Sequence, residues 1–140
     1  MKQDEPITSI MAKDIIAVNE EQKPSAARHL LLDNKIHHLP VVRDRKLVGL
    51  ISSHDIMRAV LPSANKDDAT ADAIMDRQFS ITDIMTKKLI TISRSHTVRY
   101  AAQVLYKNGF NAVPVVDDDG NLEGIVTSTD MIRYLLQLYE

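Results

Sequence analysis

The apolar positions of this chain run in two series of the same order. The first opens with an extended apolar run, Ile15 to Val18. A helical stretch follows, in which Pro24 suits an initial position and Ala27, Leu30 and Leu31 share one face at i, i+3, i+4 spacing. Two short strand-like runs come next, Leu39 to Arg43 and Lys46 to Ser52, with Asp44-Arg45 as the hairpin turn. A second helix, His54 to Leu61, closes the series. The order then returns. Leu89 to Ile92 is extended, and Val98, Ala101, Ala102, Val104 and Leu105 mark a helix. Asn108-Gly109 provides a left-handed stop for that helix, and Asn34-Lys35 a weaker one for its counterpart. Val113 to Val116 and Leu122 to Thr127 form the second hairpin, and a last helix runs from Thr129 to about Tyr139. The pattern predicts β-α-β-β-α twice, an α+β chain with units of α/β type and helices outside.

Residue identity repeats as well. Ile7-Thr8-Ser9-Ile10-Met11 returns as Ile81-Thr82-Asp83-Ile84-Met85, and His38-Leu39-Pro40-Val41-Val42 as Ala112-Val113-Pro114-Val115-Val116, both shifted by 74. Gly49-Leu50-Ile51-Ser52-Ser53-His54-Asp55 returns as Gly124-Ile125-Val126-Thr127-Ser128-Thr129-Asp130, shifted by 75. The slip falls in the Asp119-Gly120-Asn121 turn, where an insertion is tolerated. About a third of the aligned positions are identical. The expected organisation is a first repeat at 7–61, a linker at 62–79 and a second repeat at 80–140. One helical turn is expected within the linker, at Ala71 to Met75. A single copy would bury a marginal core. Two copies are therefore expected to pack sheet to sheet around one core, related by a pseudo-twofold axis.

Composition narrows the function classes. Seventeen basic and nineteen acidic residues give a net charge of −2, which lacks the basic face a nucleic-acid binder needs. The absence of cysteine excludes disulfide scaffolds, Cys-based zinc sites and thiol nucleophiles. No signal-peptide-like segment opens the chain, and no apolar stretch reaches membrane-spanning length. The expectation is a soluble cytoplasmic protein. No nucleophile elbow, phosphate-cradling glycine loop or His-Glu metal motif appears, so an enzyme is not expected.

The doubled unit, with Ile-Met at its start, Pro-Val-Val in a strand and Gly-x-φ-Ser/Thr-x-x-Asp at its end, resembles a tandem CBS-domain pair, the Bateman module. The likeness covers Ile7 to about Leu136 and leaves no room for an attached enzyme domain. It implies a regulatory module that takes AMP, ADP or ATP in clefts between the repeats, with no catalytic cofactor. Asn34 to Pro40 is also similar to a stretch of the nucleotide-sensing subunit of AMP-activated protein kinase. Arginine is typical there at the position of His38, so this chain departs from that pattern. Pro40 and Pro114 would line the base pocket, and main chain near Ile16 and Ile90 would read the adenine edge. By themselves the two prolines also suit strand entry on an open edge.

Two readings attach to Ser52-x-x-Asp55 and Thr127-x-x-Asp130. A hydroxyl followed three residues later by a carboxylate is a capping-box variant at a helix start. The same carboxylate can accept both hydroxyls of a ribose cis-diol, while the hydroxyl and helical N–H groups hold phosphate. Arg58 and Arg133 stand three residues further on, as i, i+3 ion-pair partners or as phosphate ligands. His38 is either a partly exposed polar residue or a phosphate neighbour that couples affinity to pH. Its counterpart Ala112 has no such capacity, so the two sites should differ. A metal site from His37, His38 and His54 lacks a supporting spacing and is not expected.

The last helix carries apolar residues on more than one face, from Met131 to Tyr139, which suggests burial against a second copy. A homodimer and an unidentified protein target acting in trans are expected, without membrane or nucleic acid as partner. The alternative is a structural homodimerisation module with no bound nucleotide.

Overall fold

Strand length in this chain is set by where a backbone donor is missing. In the computed structural model, which describes residues 4–63 and 65–140, β1 (Val18–Asn19) runs parallel to β2 (His38–Arg43), with Val18 beside Val41. One step back along a parallel ladder, the carbonyl of Ile16 would need the N–H of residue 40. That residue is proline, so the ladder stops. The expected strand from Ile15 is therefore reduced to two residues. β2 continues into an antiparallel hairpin with β3 (Lys46–Ser52), and the sheet order is β1-β2-β3. Asp44 takes a left-handed φ of 57° in the turn. The register slips between Val41 and Val42, so that Val41 faces Gly49 and Val42 faces Leu47, a bulge.

The helices of this unit follow their caps. α1 (Pro24–Asp33) starts on Pro24 and ends before Lys35, which turns to a φ of 54°. α2 (Ser53–Val60) is capped by Ser52. Segment 62–79 is more than a linker: α3 (Asp68–Gln78) is a helix of 11 residues, capped by Asp67 and anchored by buried Ala71 and Met75. Its acidic stripe meets α1. Arg28 pairs with Asp72 at 2.7 Å and Asp68 at 3.2 Å, His29 with Asp72 at 2.7 Å, and Ser25 Oγ donates to Asp76 at 2.6 Å. The short α4 (Ile81–Ile84) buries Ile81 completely in the cluster formed by Val18, Ala27, Leu31, Leu39, Val41, Ile51 and Ile56.

The second hairpin, β4 (Ala112–Val116) with β5 (Leu122–Thr127), has the same bulge, Val115 facing Gly124 and Val116 facing Leu122. Ile92 alone bridges Val115 in parallel, since Pro114 has no N–H for the carbonyl of Ile90. α5 (Val98–Asn108) ends on left-handed Gly109, as expected, and α6 (Ser128–Leu138) follows β5. A 3-10 turn at Ile7–Ser9 takes the place of α4. Pro6 precedes it and has no N–H to complete a capping box.

The chain closes as two compact units, Ile16–Leu89, and 4–15 together with Ile90–Glu140. These do not follow the sequence repeats. The opening segment of each repeat belongs to the other unit: Ile7 and Met11 lie in the cluster of Ile92, Val98, Leu105, Val113 and Val126, as Ile81 lies in that of the 16–89 unit. Buried apolar side chains form a cluster in each unit, around Ile92 and Val113 in one and around Leu39 and Ile51 in the other.

Candidate functional site

At the start of α2 the polar groups interlock. Asp55 Oδ2 accepts from the Ser52 N–H at 2.8 Å and from its hydroxyl at 3.0 Å, while the Asp55 N–H donates to Ser52 Oγ at 3.2 Å. The start of α6 repeats this. Asp130 Oδ2 accepts from the Thr127 N–H at 2.8 Å and its hydroxyl at 3.1 Å, and the Asp130 N–H donates to Thr127 Oγ1 at 3.3 Å. Both capping boxes anticipated from sequence are therefore formed. A cap of this kind stabilises by roughly 1 kcal/mol.

The second oxygen of each carboxylate faces arginine. Arg58 donates to Asp55 Oδ1 at 2.7 Å and Arg133 to Asp130 Oδ1 at 3.0 Å. The carboxylates are 10% and 13% exposed, the guanidiniums 66% and 61%. An i, i+3 pair with so exposed a cation is worth a few tenths of a kcal/mol, so a ligand hydroxyl can displace it at small cost. An ionised carboxylate also keeps unused lone pairs beside these bonds. Each aspartate is thus a held acceptor with one replaceable partner.

Around this pair, the register sets His38 opposite Ser52 and Ala112 opposite Thr127. Burial, foremost, and the neighbouring charge of His37 hold His38 below the ordinary histidine range, against the opposing pull of Asp55. The neutral ring is therefore the favoured form at pH 7. Exposed His37 places Nδ1 at 3.3 Å from Ser53 Oγ, and its carbonyl accepts the Ser53 N–H at 2.9 Å. Asn111 accepts the Ser128 N–H identically at 2.9 Å. Among the described residues, no acceptor takes the N–H of His54 or of Thr129, the second residue of each helix. Ser53 and Ser128 were not singled out from sequence. Their signal was present, since both repeats carry serine there.

Pro40 and Pro114 are buried, opposite Leu50 and Ile125. Their missing N–H groups explain why Ile16 and Ile90 stand beside the sheets outside the ladders; Ile16 is half-buried and Ile90 40% exposed. Ile16, His38, Pro40, Ser52, Asp55 and Arg58 thus all belong to the 16–89 unit. Ile90, Pro114, Thr127, Asp130 and Arg133 belong to the other. His54 is exposed, and among the described residues no group of three or more His, Asp or Glu is placed to hold a metal ion.

Comparison with known proteins decides the family. The CBS domain model matches residues 7–62 and again 81–137. The chain is a tandem pair of CBS domains. It is 33% identical to an uncharacterized protein, MJ1426, of Methanocaldococcus jannaschii, over 93% of this chain and 90% of that one. Among solved structures it is similar to the CBS domain pair of protein MJ0100 in complex with 5′-methylthioadenosine and S-adenosyl-L-methionine. The TM-score is 0.77 at 32% identity, covering 94% and 96% of the two chains. It is also similar to CBSX2 of Arabidopsis thaliana in complex with AMP, with a TM-score of 0.80 at 26% identity, covering 97% and 99%. Other matches are to parts of enzymes: the pair spans 22% of the inosine-5′-monophosphate dehydrogenase of Thermoplasma acidophilum, at 28% identity. No helix of the described residues is long and apolar enough to cross a membrane.

Proposed function

We propose that this CBS pair is a regulatory module for adenosine-containing ligands, and that Asp55 and Asp130 each clasp a ribose cis-diol. One observation carries the reading: the same capped carboxylate, with one replaceable partner, is built twice in one chain. The ligands named for the two relatives support it. 5′-Methylthioadenosine, S-adenosyl-L-methionine and AMP differ in charge and 5′ substituent and share adenine and an intact diol. A diol acceptor recognises what is common. The base would lie against Pro40 and Pro114, its edge read by main chain at Ile16 and Ile90. Phosphate of AMP, ADP or ATP would be met by His38, by the free helical N–H groups and by the displaced Arg58 or Arg133.

The two sites are then unequal. A phosphate beside His38 favours its protonated form, so binding there takes up a proton, whereas Ala112 leaves the Asp130 site without that response. Signalling needs a ligand with different affinities for two conformations, and the recipient is a protein target in trans. A homodimer fits the exposed apolar residues of α6, among them Ile132, Leu135, Leu136 and Leu138. The alternative, a dimerisation module without nucleotide, draws on the fact that both oxygens of each aspartate already have partners.

Calorimetric titration with AMP, ATP and S-adenosylmethionine separates the two. The wild type should show saturable heat, Asp55→Ala and Asp130→Ala should each remove one component, and the double variant both. Heats that are unchanged across the variants, with intact thermal melts, favour the structural alternative.

A further inference from the structure

The Ile-Met motif that opens each repeat has no part in the sites just described. The segment following Ile81 lies along the outer edge of β3. Thr86 and Leu50 exchange both main-chain bonds, at 2.9 and 3.0 Å, so Leu50 turns its N–H and C=O away from Pro40 and toward this strap. Met85 packs on Gly49 so closely that a Cβ there would lie 2.8 Å from its Cγ and closer still to its sulfur. In the other unit, Ala12 and Ile125 exchange bonds at 3.0 and 3.4 Å. A Cβ on Gly124 would lie 2.7 Å from the Met11 sulfur and 3.1 Å from the Ala12 carbonyl oxygen. Glycine serves here by close approach, not by backbone freedom. Fully buried Ile81 and Ile7 anchor the two straps.

Leu50 and Ile125 each stand two residues before the hydroxyl that caps the site helix. From this placement we infer that each site is positioned by the motif of the opposite repeat: Met85 positions Ser52 and Asp55, and Met11 positions Thr127 and Asp130. Met11 and Met85 touch no ligand in this scheme; they fix the edge of the strand that delivers the hydroxyl. Residues 7–12 precede the first site in sequence, yet they serve the second. The ligand part of this inference rests on the proposed adenosine sites, and the positioning part does not.

The test titrates AMP into full-length protein carrying Asp130→Ala, which leaves the Asp55 site, or Asp55→Ala, which leaves the Asp130 site. Met85→Ala should weaken AMP at least about fivefold at the Asp55 site and leave the Asp130 site within about twofold. Met11→Ala should do the reverse, and Met→Leu at either position should restore affinity. Gly49→Ala and Gly124→Ala press on the same sulfurs from the strand side and should give the same split where a Met→Ala variant does not fold. A parallel arm without ligand measures amide hydrogen exchange. Met85→Ala should speed exchange at Asp55 at least about fivefold but not at Asp130, and Met11→Ala the converse. Loss at the Asp55 site on Met11→Ala, equal loss at both sites, or loss at neither would overturn the inference. A wild type that takes no AMP defeats the adenosine reading alone, and the exchange arm still decides the positioning.

Discussion

Asp55 and Asp130 can join the proposed acceptor role to their capping role because a carboxylate has more acceptor capacity than a cap consumes. Oδ2 is engaged by the helix start, and Oδ1 by an exposed arginine. Both partners were legible in the sequence, since hydroxyl, carboxylate and cation stand at fixed i, i+3 intervals in both repeats. The environment of His38 was not, because burial depends on what packs over the ring. Its neutral form is favoured in the folded chain and not in the unfolded one. The stability this contributes is present above about pH 6.5, the unfolded value, and is lost as pH falls through the lowered folded range. Denaturation midpoints taken from pH 7.5 to 5 should therefore fall less steeply for His38→Ala than for the wild type. Equal slopes would show that His38 does not carry this linkage.

At the scale of elements, the hairpins and the helices α1, α2, α5 and α6 appeared where hydrophobic period and turn chemistry put them, within a residue or two at their ends. The parallel strands were shorter than their apolar runs. Apolarity reports burial, but pairing needs donors, and Pro40 and Pro114 withhold them. α3 was underestimated for a different reason. Its sequence, Asp68–Gln78, has a weak apolar stripe, and much of its docking is polar, through Asp68, Asp72 and Asp76 on α1. Burial acts to raise the Asp72 carboxyl, but the hydrogen bonds and charges of His29 and Arg28 outweigh it and hold the group below the usual aspartate range. Asp72→Ala should thus cost about 1–2 kcal/mol, leaving a shielded Arg28 without its main partner. Asp68, 89% exposed, should cost under ~0.5 kcal/mol. Urea denaturation of the two variants checks this, and equal losses would contradict a specific role for Asp72.

For the whole molecule, the internal duplication told what each half is made of but not which segments close together. Opening segments are shared out so that each unit contains residues from both repeats, an arrangement no alignment of the copies can reveal because both pairings satisfy it equally. The result is a chain with two similar polar sites that differ at His38 and Ala112, each flanked within its own unit by a strap, 81–86 beside β3 and 7–12 beside β5. The ligands named for two relatives are all adenosine derivatives, which supports the reading proposed for these sites. The central claim concerns where the sugar goes. A crystal structure of the protein grown with AMP should show ribose 2′- and 3′-hydroxyls donating to the carboxylates of Asp55 and Asp130, with Arg58 or Arg133 turned aside. Nucleotide bound elsewhere, with both capping boxes and both arginine pairs intact, would contradict it.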